Sequence, residues 1–192
     1  MAAYTVDKTI DCKGLSCPMP IIRTKKAVEE LQAGEVLEVV ATDPGSVADV
    51  KSWAVRTGHQ FLGTVKEDGV FKHYIRKSHS DEVKTEKRFP YSASHDELMG
   101  KLKANPVILD VRESMEYAFG HIPGAKLVPF GKLEETIDQL RQHQNEDVYV
   151  ICRTGSRSDM ACQVLSEHGF TGVRNVLPGM AVWTGPTEKE TK

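Results

Sequence analysis

The sequence predicts an α/β chain of two parts: a βαβαββ two-layer sandwich first, then a parallel sheet with helices on both faces. Three observations carry the prediction. In residues 1–77 strand-like and helix-like apolar spacing follow one another in the order βαβαββ. In residues 89–192 short, wholly apolar runs alternate with helical stretches, the pattern of strands covered on both sides. Between them, residues 78–88 (SHSDEVKTEKR) hold one apolar residue among mixed charges and read as a linker.

The first part opens with a strand around Val6 to Ile10. A helix is expected from about Pro18, with Ile21, Ala27, Val28 and Leu31 on one face and Gly34 as its stop. Glu35 to Thr42 is β-rich. Asp43 followed by Pro44 reads as a helix start, after which Val47, Val50 and Ala54 line a buried face up to Gly58. Phe61–Lys66 and Val70–Lys77 form a hairpin across Glu67-Asp68-Gly69. In the second part Ser94 and Glu97 make a capping box and Asn105-Pro106 ends the helix. VILD (107–110) and DVYVIC (147–152) are strands. The latter runs into a turn of about six residues beginning at Cys152, followed by a helix carrying Met160, Ala161, Val164 and Leu165.

Composition narrows the function. The chain has 192 residues, 40% of them hydrophobic, and a net charge of -2. The charges balance within each part: 11 Lys/Arg against 10 Asp/Glu in residues 1–77, and 11 against 14 in residues 89–192. Neither part is therefore a basic nucleic-acid module, and neither is drawn to an anionic membrane. Residues 1–14 show no basic leader and no apolar core, so a cytoplasmic location is expected. In such a compartment the four cysteines read as reactive or buried thiols, not as a disulfide framework. No Cys/His spacing resembles a metal site and no cofactor is implied; His59, His73, His79 and His95 are expected at the surface or in turns.

Two cysteines stand in settings that a packing role does not need. Cys152 ends an apolar strand and is followed by Arg153, Thr154, Gly155, Ser156 and Arg157, a turn that opens a helix. Backbone N–H groups converge on anions at such a place, and ligands bind beyond the carboxyl ends of parallel strands. The arginines add positive charge and favour a thiolate, the reactive form of cysteine. Cys17 precedes Pro18 and Pro20, which lack N–H donors and are tolerated only in a helix's first turn. This places Cys17 at an N-cap-like position, where the helix dipole favours a thiolate.

The motifs DVRE (110–113), GHIPGA (120–125), CRTGSRS (152–158) and LPGMAVW (177–183) occur in the order found in single-domain rhodaneses. Residues 87–185 thus resemble that family of sulfurtransferases. The resemblance implies that Cys152 carries a persulfide and that Arg153 to Arg157 cradle it. Pro178-Gly179 stands where the family often has paired glycines. It further implies that Asp110 and Arg112 hold the sheet edge and its loops. His121 is read as part of a turn locked by side-chain hydrogen bonds, Trp183 as a core or lid aromatic, and Cys162 as a small buried hydrophobe. Residues 5–77 resemble the TusA (SirA-like) sulfur carriers through CPMP at 17–20, preceded by GLS, and through ATDPGSVADVKSWAVRTGHQ (41–60). That resemblance makes Cys17 the sulfur-carrying residue. Cys12 departs from the usual motif and is either a passive thiol or a resolving one that pairs with Cys17.

Together these features imply a sulfurtransferase that moves persulfide sulfur from thiosulfate, a low-molecular-weight persulfide or a persulfide-bearing protein to Cys152. From there the sulfur passes to an acceptor thiol, Cys17 or that of another protein. A linker of about ten residues reaches roughly 35 Å when extended, enough for transfer within one chain; transfer between the subunits of a homodimer stays open. A phosphatase is disfavoured because four residues, not five, separate Cys152 from Arg157. A non-catalytic persulfide sensor or adaptor, and a redox switch using Cys12 and Cys17, are the alternatives.

Overall fold

The computed structural model describes residues 5–80, 82–83 and 87–190; residues 1–4, and positions 81 and 84–86 of the expected linker, lie outside the described residues. The chain divides into two compact units, Met1–Lys87 and Arg88–Lys192. Among the described residues no helix is long and apolar enough to cross a membrane.

The first unit contains β1 (Lys8–Cys12), α1 (Met19–Glu29), β2 (Val36–Ala41), α2 (Ser46–Arg56), β3 (Gln60–Glu67) and β4 (Val70–Arg76). The sheet order is β1-β2-β4-β3, with β1 and β2 parallel and the other pairings antiparallel. Alternate residues of β2 (Leu37, Val39, Ala41) meet Ala27, Val28 and Leu31 of α1 and Val50, Trp53 and Ala54 of α2 in one core. The β3–β4 turn is the two-residue Asp68-Gly69, both with positive φ (47° and 78°), which matches the twist of the flanking strands.

Several boundaries differ from the sequence reading. The first strand begins at Lys8, two residues later than Val6. Gly34 does not stop α1, which ends at Glu29; its N–H instead bonds the Lys77 carbonyl at 2.8 Å and leads the chain into β2. Asp43 is not an N-cap. Its carboxylate accepts from the Gly45 N–H and its carbonyl from the Ser46 N–H, so Asp43-Pro44-Gly45 is spent on a turn and α2 starts at Ser46. Val47 is only half-buried, and Trp53 takes the central place on that face.

His73 is also misplaced by the sequence, because it lies fully buried on β4. Its Nε2 is 2.9 Å from Ser46 Oγ and its Nδ1 2.8 Å from Thr64 Oγ1. The Ser46 hydroxyl spends its proton on the Asp43 carbonyl at 2.6 Å. The Nε2–H must therefore donate to Ser46, and Nδ1 accepts from Thr64. The ring is neutral and satisfied, and it ties α2 to the sheet.

The second unit contains β5 (Ser92–Ser94), α3 (His95–Lys101), β6 (Val107–Asp110), α4 (Ser114–Ala118), β7 (Lys126–Leu127), α5 (Leu133–Leu140), β8 (Asp147–Ile151), α6 (Ser156–Glu167) and β9 (Gly172–Leu177). All five strands are parallel, in the order β5-β9-β8-β6-β7. Tyr149 and Ile151 of β8 share a cluster with Leu98 of α3 and Tyr117 of α4. Val148 and Val150 point to the opposite face by strand alternation, where α6 packs on β8 and β9 and α5 on α6. The capping residue Ser94 accepts from the Glu97 N–H at 3.2 Å, as its position before the helix predicts.

Burial pushes the His73 imidazole down to about 4 from its ordinary 6.5. The unfolded chain therefore binds a proton that the folded first unit refuses between those values. Stability contributed by the neutral ring is complete above pH 6.5 and is lost as pH falls toward 4, a loss of about 3 kcal/mol. With Trp53 as sole tryptophan in a Trp183→Phe chain, the urea midpoint followed by fluorescence should fall steeply over that window. His73→Gln should start lower at pH 7 and flatten the slope.

Candidate functional site

The strand β8 carries its apolar run straight to Cys152, which is wholly buried (0% exposed). The following loop is shorter than the sequence suggests: only Cys152 to Gly155 precede α6, so Ser156 and Arg157 occupy the helix's first turn. Gly155 makes this possible. It adopts φ +98° at the N-cap, which turns its N–H onto Cys152 Sγ at 3.1 Å. An added Cβ there would collide with the Leu177 side chain.

Behind the sulfur stands Ser158, whose Oγ is 3.3 Å from Sγ and 2.6 Å from Asn175 Oδ1. Asn175 Nδ2 in turn donates to the Gly155 carbonyl at 3.1 Å. A hydroxyl carries one proton, so Ser158 donates to Asn175 or to the sulfur, not to both. The carbonyl side of the loop is clamped by the chain after β9: the Met180 N–H bonds the Cys152 carbonyl at 2.8 Å and the Ala181 N–H the Arg153 carbonyl at 2.9 Å. Gly179, with φ +96°, allows this approach, since a Cβ on it would lie 2.7 Å from both carbonyl oxygens.

Of the arginines, Arg153 is exposed, whereas Arg157 is buried. Its guanidinium donates two hydrogen bonds, 2.9 and 3.2 Å, to the Glu116 carboxylate of α4. Burial would raise the Glu116 carboxyl, but the Arg157 hydrogen bonds and charge, with the Glu113 N–H and Arg112, hold it below its ordinary value. The fixed positive charge expected of Arg157 is therefore locally balanced. Sequence reading missed Glu116 and Asn175 because neither is near Cys152 in the chain. The Ser114–Glu116 stretch of a short helix gave no signal beyond its polarity.

Asp110 and Arg112 form a buried pair, with Nε at 2.9 and 3.0 Å and Nη2 at 2.6 Å from the carboxylate. Arg112 Nη2 also donates to the Gly120 carbonyl, which fixes the GHIPGA turn to the end of β6. His121 in that turn stacks on Tyr117 at 3.6 Å and its Nδ1 lies 2.9 Å from the Tyr117 carbonyl, while its backbone bridges to Glu188. These groups brace the fold around the loop. Trp183 packs against the core and meets His95 edge-on. Cys162 is buried on α6, where burial pushes its thiol well up.

In the first unit Cys17 is also buried (1% exposed), and it does not hold the N-cap. Pro18 does, with Met19 as the first helical residue and Pro20 in the first turn; Cys17 lies one residue before the cap. The preceding loop is pinned beyond the carboxyl ends of β1 and β2. Gly14 N–H donates to Thr42 Oγ1 at 2.9 Å, Leu15 N–H to the Cys12 carbonyl, and Arg23 Nη1 to the Asp11 carbonyl. Met19 and Ile22 are exposed beside Cys17. Cys12 is different: it is a member of the core, and burial raises its thiol although Arg23 pulls the other way. None of the four cysteines is joined in a disulfide.

Two glycine substitutions measure how tightly the Cys152 loop is built. Gly155→Ala should cost about 1–2 kcal/mol, the strain of a left-handed alanine, because the Leu177 side chain can move aside. Gly179→Ala should cost more, since backbone carbonyls cannot. Equilibrium unfolding of the full chain checks the order; equal losses would contradict it.

A family model described as Sulfurtransferase TusA matches residues 8–77, and one described as a rhodanese-like domain matches residues 94–185. YrkF of Bacillus subtilis (strain 168), named as a candidate sulfur carrier protein, is 44% identical over 187 residues, which cover 93% of this chain and 96% of YrkF. The sulfur carrier protein TusA of Allochromatium vinosum is 44% identical over 72 residues, 38% of this chain and 95% of its own. A crystal structure of a rhodanese-like domain protein from Staphylococcus aureus is 36% identical, with a TM-score of 0.46, and covers 53% of this chain and 99% of that one. With a relative that spans both units in one polypeptide, this chain belongs to the family in which a TusA sulfur-carrier domain is followed by a rhodanese-like domain, and its general chemistry is sulfur transfer.

Proposed function

We propose that the protein is a sulfurtransferase in which Cys152 takes sulfur from a small donor and hands it to Cys17. The observation that carries this reading is the Gly155 N–H at 3.1 Å from Cys152 Sγ, at the N-terminal end of a twelve-residue helix. A donor so placed stabilises negative charge on sulfur without itself reacting. The Cys152 thiolate attacks the outer sulfur of thiosulfate. The new S–S bond forms as the bond to the sulfonate sulfur breaks, and sulfite leaves with the electron pair. Cys152 then carries a persulfide anion, and the charge balances. The Cys17 thiolate attacks the outer sulfur in turn; the Cys152 thiolate is released and Cys17 holds the persulfide. A low-molecular-weight or protein persulfide serves as donor by the same displacement, with a thiolate as the leaving group.

In this reading Thr154 and Ser156 complete the loop around the outer sulfur with Arg153 and Gly155. Cys12 acts as a packing residue: its raised thiol and core position make it a poor attacking group beside Cys17. From Cys17 the sulfur goes to the thiol of an acceptor protein.

Intact-mass measurement after brief exposure to thiosulfate, with the modified peptide located, tests the order of transfer. Wild type should gain one sulfur atom on each of Cys152 and Cys17. Cys17→Ser should stop at Cys152, and Cys152→Ser should leave Cys17 unloaded from thiosulfate. Equal loading of Cys17 in the presence and absence of Cys152 would make the units parallel acceptors and refute the relay.

A further inference from the structure

A side-chain hydroxyl meets the Cys152 sulfur from within α6. Ser158 is wholly buried, with its Oγ 3.3 Å from Cys152 Sγ and 2.6 Å from Asn175 Oδ1. Asn175 is buried too, on β9, at a place where packing alone would take an apolar residue. Its amide has a fixed sense. The Gly155 carbonyl, 3.1 Å away, can only accept, so Nδ2 faces Gly155 and Oδ1 faces Ser158.

Two acceptors therefore compete for one hydroxyl proton, and the charge on Sγ decides between them. While Cys152 is a thiol or carries a second sulfur, Sγ is neutral and a weak acceptor, and the hydroxyl donates to Asn175. Once Sγ is a thiolate, a charge-assisted bond to it is the stronger of the two. Rotation of the hydroxyl is enough to change partners. The Gly155 N–H has no such choice, since a backbone donor keeps its direction.

We propose that Ser158 is a catalytic residue of the discharge step, its hydroxyl turning from Asn175 to Cys152 Sγ as the carried sulfur leaves. The inference rests on the reading of Cys152 as the sulfur-bearing residue. In that step an acceptor thiolate attacks the outer sulfur of the persulfide. The sulfur–sulfur bond on Cys152 breaks and its electron pair stays on Sγ. One thiolate is consumed and one is formed, and the Ser158 proton remains on its own oxygen. The new hydrogen bond is missing in the persulfide and present in the product, so it favours release and does not hold both states equally.

The test uses the full chain with Cys17→Ser, in which sulfur rests on Cys152, and follows the Cys152 peptide by mass. Three quantities are read: the pH midpoint of Cys152 alkylation without a donor, the rate of loading from thiosulfate on the alkaline plateau, and the rate at which loaded persulfide, freed of donor, discharges to a small thiol. The titratable and charged side chains on the surrounding elements are Cys162, Asp159 and Arg157 (paired with Glu116) on α6, Arg153 in the loop, and the Asp110–Arg112 pair at the end of β6; Ser158→Ala changes none of them. In Ser158→Ala the midpoint should rise by about one unit, because the thiolate loses a charge-assisted hydrogen bond. Plateau loading should hold or increase, since a thiolate with fewer donors is the better nucleophile. Discharge should slow several-fold, since that thiolate is the poorer leaving group. Asn175→Leu removes the rival acceptor while the Gly155 carbonyl keeps the Asp159 N–H at 3.0 Å. It should lower the midpoint and quicken discharge, which keeps the proposal testable if Ser158→Ala does not fold.

Equal slowing of loading and discharge with an unmoved midpoint would mean that Ser158 only packs the start of α6, and would overturn the proposal. Discharge at the reference rate would overturn it as well. A raised midpoint in a chain whose Cys17→Ser reference takes sulfur from neither thiosulfate nor a persulfide would leave the turn of the hydroxyl to the thiolate standing and strike the sulfur-transfer reading instead.

Discussion

The contact on which the proposed chemistry of the second unit depends is the hydrogen bond from the Gly155 N–H to Cys152 Sγ. It exists because a glycine takes a left-handed conformation directly after a buried strand, which reverses the chain within four residues and starts α6 there. Everything nearby protects that turn. Gly179 brings the chain after β9 close enough to clamp the loop carbonyls, and Asn175 ties the Gly155 carbonyl to Ser158. The Asp110–Arg112 pair anchors the adjacent turn from below the sheet's end. A sulfur anion in this setting meets oriented dipoles that need no rearrangement when charge develops.

The first unit reaches a related arrangement by different means. Parallel β1 and β2 end beside a loop pinned by Gly14, Leu15 and Arg23, and a helix with prolines at its cap and in its first turn begins two residues after Cys17. Here the prolines, not a glycine, dictate where the helix starts. Both thiols sit beyond strand ends, at helix starts, and both are almost fully buried. Cys12 and Cys162 occupy core positions, where burial pushes their thiols up, away from reactivity.

Much of the fold was legible because its signals are local. The Asp68-Gly69 turn, the Ser94 cap, the apolar run at residues 107–110 and the stretch from Tyr149 to Cys152 are each determined by neighbours in sequence. The errors arose where a residue had two uses. Asp43 resembles a helix cap but spends its carboxylate on a turn, and Cys17 lost the cap to Pro18 because the first helical φ belongs one residue later. His73 read as a surface histidine, yet two hydroxyls from α2 and β3 make its burial tolerable, and nothing in its own neighbourhood announces them. Arg157 read as an open cation because its partner, Glu116, lies on a different helix far back in the chain. Long-range polar pairing is the part of a site that local sequence does not encode.

The central claim is that sulfur enters at Cys152 and leaves through Cys17. It is tested most directly by time-resolved labelling of the wild-type chain with less than one equivalent of thiosulfate bearing isotopic sulfur in the outer position. Samples are quenched with an alkylating agent and both cysteine peptides are followed by mass. The account predicts label on Cys152 first, its decline matched by the rise on Cys17. Label reaching Cys17 before Cys152, or both rising together from the first time point, would contradict it.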